Sequence, residues 1–264
     1  MARVGPRRVR GHWIGIPALG LALLALWQLA GPVFGVASTL IPPPLEVVAA
    51  FGELLTSPIF YRHLWVTVQE IVLAFVVGSA AAFLLGVAVV TSRVFEKTVM
   101  PYVVALQIVP KIALAPLFLI WLGYGIPSKA VFAGTIVFFP MLVNTVQGLK
   151  SLDPNHEEML VSFGASKRAI FWHGRLPSAA PFVFAGLDIA AVFAITGAVV
   201  AEFIGAQAGL GYQLIQFNFQ FFTAGTFAVI VLLSVLGWLL HMAVLLAERT
   251  VTFWRPAPRR GAAA

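Results

Sequence analysis

From Lys150 to Pro177 the chain reads KSLDPNHEEMLVSFGASKRAIFWHGRLP. The run from Lys150 to Arg175 is the one long polar connection in the sequence, and apolar stretches flank it on both sides. Asp153 stands before Pro154, a capping side chain followed by proline at the first helical position, and Gly164 falls where a left-handed residue ends a helix. The spacing predicts a helix of about three turns. Ser166 can cap a second short helix through Phe171, which Gly174 and Pro177 are expected to end before the next apolar run. Two short helices held against an apolar body form a knob that can pass force to a soluble partner. An ordinary connection with a solvated charged face has the same composition.

The flanks decide the solvent. Of 264 residues, 60% are hydrophobic and 10% charged, with a mean hydropathy of +0.95, whereas soluble domains carry about a quarter charged residues. No aqueous core hides that much apolar surface, so one all-α integral membrane domain is expected over residues 1–264. Helix-compatible apolar runs predict six transmembrane helices, at 13–30, 65–92, 98–122, 130–149, 182–204 and 227–246. The first is expected to break at Gly31-Pro32. The third carries Pro101, Pro110 and Pro116 and is expected to kink or unwind locally. After Pro42-Pro43-Pro44, the residues Leu45, Val48, Phe51, Leu54 and Leu55 beside Glu46 and Glu53 suit a short helix lying in the interface. Residues 150–177 then join helices 4 and 5, and 1–12 and 247–264 are tails.

Anionic leaflets and the membrane potential retain positive charge on the cytoplasmic side. With the N-terminus inside, the cytoplasmic segments collect fourteen of the seventeen Lys and Arg: Arg3, Arg7, Arg8, Arg10; Arg93, Lys97; Lys150, Lys167, Arg168, Arg175; Arg249, Arg255, Arg259, Arg260. Arg62 and Lys129 are left outside, and Lys111 lies within a span. Both termini and the 150–177 loop are therefore expected in the cytoplasm of a multi-pass membrane protein. The formal charge of +7 reads as membrane orientation, and no nucleic-acid partner is expected, since no basic stripe or arm forms. Arg7 to Arg10 before an apolar run also fits a cleaved signal peptide; the run is long and lacks a small-x-small site, which favours a retained anchor.

The stretch from Glu158 through Gly164 to Leu176-Pro177 resembles the cytoplasmic EAA loop of binding-protein-dependent ABC importer permeases. That pattern is Glu-Ala-Ala, three residues, Gly, nine residues, Ile-x-Leu-Pro, and the spacing fits throughout. Met159 and Leu160 stand where the family prefers two alanines, and Gly174 where it prefers Ile or Val. Further stretches resemble the nitrate, sulfonate and taurine branch of that family, which also includes permeases for pyrimidine and riboflavin precursors. They are VPKIALAPLFLIWLGYG (109–125), FFPMLVNTVQG (138–148), FGAS (163–166), AEFIG (201–205) and GLGY (209–212). The resemblance covers about residues 40 to 255. It implies a permease that pairs with a second copy of itself around a pore and meets two ATP-binding subunits. It also implies a periplasmic or lipid-anchored solute-binding protein and no cofactor. In the loop it places the contact with the ATPase on Glu157, Glu158, Ser162, Gly164, Ala165 and Ser166. Nitrate, sulfonate or taurine lead as solutes, with a vitamin precursor close behind.

Ionisable and amide groups in the spans are candidates for the translocation pathway. Lys111 falls at the proline-rich third span, where it can satisfy freed carbonyls or attract an anion. Glu202 lies near the outer end of the fifth span and reads equally as a solvated interface carboxylate or a group facing a cavity or partner. Asp188 is expected to find a local partner such as Lys167 or Arg175. Asn144 and Gln147 share a helix face and suit interhelical hydrogen bonds or the path. The aromatic run Phe217 to Phe222 suits a membrane interface, a gate or a binding-protein contact.

No catalytic or metal residue is expected. There are no cysteines, and the five histidines are scattered. Gly-x-x-x-x-Gly-Lys-Ser/Thr, His-Glu-x-x-His and Gly-x-Ser-x-Gly do not occur, and the resemblance implies that ATP hydrolysis is expected on a separate subunit. A channel or membrane enzyme working alone is the reading from a different class.

Overall fold

The computed structural model describes residues 12–35 and 37–253. Arg3, Arg7, Arg8, Arg10, Arg255, Arg259 and Arg260 lie outside the described residues. Every element among the described residues is helical: α1 (His12–Phe34), α2 (Pro44–Thr56), α3 (Pro58–Thr91), α4 (Arg93–Ile108), a 3₁₀ turn at Lys111–Leu114, α5 (Ala115–Leu122), α6 (Ile126–Leu149), α7 (Pro154–Ser162), α8 (Lys167–Ile170), a π turn at Phe171–Arg175, α9 (Leu176–Gly205), α10 (Leu210–Phe219) and α11 (Thr223–Val251).

Among the described residues, four helical stretches are long and apolar enough to cross a membrane: Pro58–Thr91, Ile126–Leu149, Lys167–Gly205 and Thr223–Val251. The α4–α5 pair makes a fifth if it is one span, and it bends by 84°. The bend has a local cause. Pro110 lacks a backbone donor, and Val109 before it is held in an extended conformation at ψ 130°, so the ladder of α4 stops there. The kink expected in the third span is thus a sharp elbow.

Two expected helix ends lie elsewhere. α1 runs through Gly31 and Pro32 to Phe34, because a single proline removes one ladder bond without ending a helix, and the chain turns at Gly35 with φ 66°. Among its described side chains the apolar stretch is Pro17–Leu29. Gly174 and Pro177 do not stop the helix after Ser166 either. The π turn carries the backbone through Gly174, and Pro177 falls at a position where the new helix needs no proline donor. In α2 the buried residues are Val47, Ala50 and Leu54, so of the expected Leu45, Val48, Phe51, Leu54 and Leu55 stripe Leu54 is buried while Leu45, Val48 and Leu55 are exposed.

The chain divides into two units. In the unit formed by the chain up to Phe60 with Leu214–Val231, Thr223 Oγ1 donates to the Thr39 carbonyl at 2.7 Å, and the rings of Trp27 and Phe227 lie 5.9 Å apart. In the unit formed by Tyr61–Gln213 with Leu232 onward, α6 and α9 pack along most of their length. The seam is made of small residues. Ala190, Ala194 and Ala198 of α9 are fully buried with Val137 of α6 and Ile71 of α3. In a membrane there is no hydrophobic force between helices, so association comes from backbones approaching closely enough to gain dispersion contacts. Gly197 marks the approach: a methyl group there would sit 2.8 Å from the Ala133 Cα and 2.9 Å from its Cβ.

Gly197→Ala is therefore expected to destabilise the detergent-solubilised protein by about 1–3 kcal/mol, through forced separation of α6 and α9. A control, Gly20→Ala, has no atom within 4 Å of the added methyl. Thermal unfolding of both variants checks this; equal midpoints would remove the seam from the account.

Candidate functional site

The 150–177 segment forms a doubly capped unit. Asp153 accepts a hydrogen bond from the Asn155 amide at 2.9 Å, Pro154 fills the first turn, and α7 follows. At its other end Gly164 takes φ 78°, and its amide donates to Val161 O at 2.8 Å while Ala165 N donates to Leu160 O at 3.0 Å. This pair of reversed bonds closes the helix, and a side chain at Gly164 would meet the left-handed backbone penalty. Ser166 then caps α8 through the Ala169 amide at 3.3 Å. Glu157 accepts from Arg175 Nη2 at 2.7 Å, tying α7 back to the π turn ahead of α9.

Glu158 and Ser162 lie exposed on α7, with Ser162 Oγ donating to the Glu158 carbonyl at 2.9 Å. Ala165 is half-buried at the junction. Beside them Met159, Val161 and Phe163 are exposed, Phe163 at 83%, which is an apolar face on a polar segment.

Two of the three departures from the pattern that the loop resembles, Leu160 and Gly174, meet in space. Gly174 is buried, and a Cβ there would lie 3.2 Å from Leu160 Cδ1 and 3.0 Å from Leu152 Cδ2. Leu160 and Leu152 together occupy the space that a side chain at Gly174 would take.

A second polar centre lies inside the helices. Lys129 Nζ at the start of α6 reaches Glu70 Oε1 of α3 at 2.7 Å, with side-chain exposures of 3% and 0%. Glu202 in the last turn of α9 is 1% exposed and accepts from Thr67 Oγ1 at 2.6 Å and from the Gly211 amide. Thr67 Oγ1 also accepts from Leu210 N at 2.7 Å, and His63 Nδ1 accepts from Gly209 N at 3.1 Å. Three successive amides at the start of α10 are thus held by side chains of α3 and α9. Glu202 is therefore a partnered internal group, and the solvated-interface reading of it falls. Gly209 has no room for a side chain, since a Cβ would collide with the Glu202 carboxylate.

The pathway candidates Lys111, Asn144, Gln147 and Glu202 are not brought together by any hydrogen bond or ion pair among the described residues. Lys111 Nζ donates to Gln107 O at 3.0 Å, one of the carbonyls left open where α4 ends, and stands 4.4 Å over the Phe139 ring. Asn144 Nδ2 donates within its own helix to Pro140 O at 2.8 Å, while Gln147 is exposed. Asp188 pairs with His241 of α11 instead of Lys167 or Arg175. Phe219 and Phe221 at the end of α10 are exposed, and Phe217 and Phe222 stack edge to face at 5.2 Å.

Sequence reasoning missed His63, Thr67, Glu70 and Lys129. The available signal was the spacing 63, 67, 70, which places three polar groups along one face of an apolar helix.

Residues 70–252 match the protein family described as the binding-protein-dependent transport system inner membrane component. The formylaminopyrimidine transport permease protein of Halalkalibacterium halodurans is 37% identical, over 89% of this chain and 93% of its own length. A Bacillus subtilis protein, provisionally named an aliphatic sulfonates transport permease protein, is 30% identical over 96% of this chain and 92% of its length. The riboflavin transport system permease protein of Chloroflexus aurantiacus is 30% identical over 96% and 97%.

Leu160→Ala is expected to loosen α7 and Gly174→Val to displace it, each lowering the thermal midpoint. The double variant is expected to recover about 1 kcal/mol or more relative to the sum. Strict additivity would refute the shared space. Lys129→Met, which strands buried Glu70, is expected to cost about 3–5 kcal/mol. Lys150→Met, which breaks the exposed pair with Glu96, is expected to change stability by less than about 1 kcal/mol. Unfolding in detergent orders the two variants, and a reversed order would contradict the burial argument.

Proposed function

The chain belongs to the family of inner membrane components of binding-protein-dependent transport systems, and from this premise we propose that it forms the translocation pathway of an ABC importer. Its solute is a small molecule delivered by a solute-binding protein. In this reading the permease is embedded in membrane lipid with six spans, both termini and the 150–177 loop in the cytoplasm, and acts as a pair of identical copies. Two ATP-binding subunits hydrolyse the nucleotide, and this chain hydrolyses none.

The observation that carries the proposal is the α7 unit. A loop built only to connect spans needs neither caps at both ends nor an ion-pair strap to the next helix. Here Asp153, Gly164 and Ser166 fix the backbone, and Glu157–Arg175 fixes its attitude to the helix that runs on to Gly205. Such a unit is stiff enough to convert a push from a partner into displacement of α9. The exposed Met159, Val161 and Phe163 supply the apolar centre that a protein interface needs. Glu158, Ser162, Gly164, Ala165 and Ser166 edge that surface, and Glu157 positions it. Of the pathway candidates, Lys111, Asn144 and Glu202 hold contacts that support the helices bordering the path, and Gln147, exposed on α6, is the one left to line it.

The solute class we propose is that named for the relatives: an aliphatic sulfonate or similar small oxyanion, or a vitamin-type compound such as formylaminopyrimidine or riboflavin. Both sides of this choice have a relative at 30% identity or above, so the binding protein decides it. Calorimetric titration of the binding protein encoded beside this permease against taurine, an alkanesulfonate, formylaminopyrimidine and riboflavin separates the classes.

Gly164→Pro, which cannot adopt φ 78°, and Glu158→Lys are each expected to reduce co-purification of the ATP-binding subunit at least tenfold, with the membrane yield of permease retained. Undiminished association in both variants would remove α7 from the interface and with it the proposed function.

A further inference from the structure

Arg93 opens α4 two residues past the end of α3, and Lys167 and Arg168 open α8 far along the chain. The fold brings all three to the wall of one cavity of about 710 Å³, shared with Arg175, Glu157 and the apolar side chains of Val90 and Phe171. The carboxylates nearby are already engaged. Glu157 accepts from Arg175 at 2.7 Å, and Glu96, lining an adjoining cavity of about 210 Å³, is paired with Lys150. Among the described residues no carboxylate lies within ion-pair distance of Arg93, Lys167 or Arg168.

Three uncompensated cations facing one space sustain a positive potential that gathers anions. Two guanidinium forks and an ammonium match a compact anion with several acceptor oxygens, which is the chemistry of a phosphate group. The cavity also stands where a membrane-length helix ends, since Val90 and Thr91 close α3. An occupant there meets charge on one side and apolar side chains on the other, which free phosphate does not use and a phospholipid does. We propose that this cavity binds the phosphate of an anionic phospholipid of the cytoplasmic leaflet. The site is distinct from the apolar face of α7, because Met159, Val161 and Phe163 do not line it. The choice of leaflet rests on the cytoplasmic loop of the proposed function.

The test uses the permease assembled with its ATP-binding subunits in nanodiscs of mixed phosphatidylglycerol and phosphatidylcholine. After release into mild detergent, retained lipid is counted by native mass spectrometry. The wild type is expected to retain phosphatidylglycerol in preference. Each cation near the surface contributes roughly a fivefold preference, so R93Q/K167Q/R168Q is expected to lose on the order of a hundredfold. If the triple variant does not fold, K167Q alone is read against the fivefold expectation. Equal retention in variant and wild type overturns the proposal. Inorganic phosphate that binds by calorimetry through the same residues, with no lipid preference, also overturns it in favour of a free anion. So does lipid that enters only after the ATP-binding subunits are stripped, because an acidic partner surface then owns the cavity.

Two measurements keep this apart from the functional proposal. Failure of the wild-type permease to co-purify with an ATPase sinks that reading, and the lipid count is then made on the permease alone in the same nanodiscs, with the same outcomes for R93Q/K167Q/R168Q. The chain has no cysteine, so K167C is a single label site. Labelling it from outside intact cells overturns the leaflet assigned here.

Discussion

The close approach of α6 and α9 is the constraint on which the rest depends. These antiparallel helices are joined by the 150–175 segment at one end, and their other ends carry Lys129 and Glu202. α6 alone has 24 residues, about 36 Å of helix. A seam lined by Ala190, Ala194, Gly197 and Ala198 leaves little freedom for one helix to slide past the other. Interiors packed to this density move as discrete blocks and resist continuous deformation, so a displacement applied at one end of the seam is felt at the other.

The two ends are built by opposite rules. At the loop end the caps are local, contacting residues two or three positions away, the longer-range pairs Glu157–Arg175 and Lys150–Glu96 are partly exposed, and Met159 and Val161 of α7 face outward. At the far end the polar groups are buried and depend on partners from several helices, with Lys129 and Glu70 separated by 59 positions and Thr67 and Glu202 by 135. Buried ion pairs add little to stability over an apolar replacement, yet losing one partner is costly. Such a cluster therefore serves to fix one arrangement of α3, α6, α9 and the start of α10, and it tolerates no slippage between them.

This division also decides what could be read from the sequence. The ends of α7 and the cap of α8 were legible because Asp153-Pro154, Gly164 and Ser166 act on their immediate neighbours. Lys111 was half legible: satisfaction of a freed carbonyl was one of its two readings, and the carbonyl it finds is four residues back. The partner of Asp188 was misread, since His241 lies in another helix and no local spacing announces it. Glu70 and Lys129 were passed over for the same reason. The meeting of Leu160 and Gly174 became intelligible only as a contact. Helix ends at Gly31-Pro32 and Gly174 were placed too early, because proline and glycine weaken a helix locally while neighbouring turns carry it through.

The π turn at Phe171–Arg175 has a consequence for the whole of α9. It feeds one surplus residue into an otherwise continuous run of 39 residues from Lys167 to Gly205. Each residue of an α-helix advances the azimuth by about 100°. That surplus sets which way every later side chain points, and so it aims the alanine stripe and Glu202 at their partners. The widened ring acts as the phase setting of a long shaft: its angular offset at the loop is inherited unchanged by the residues nearly thirty positions away.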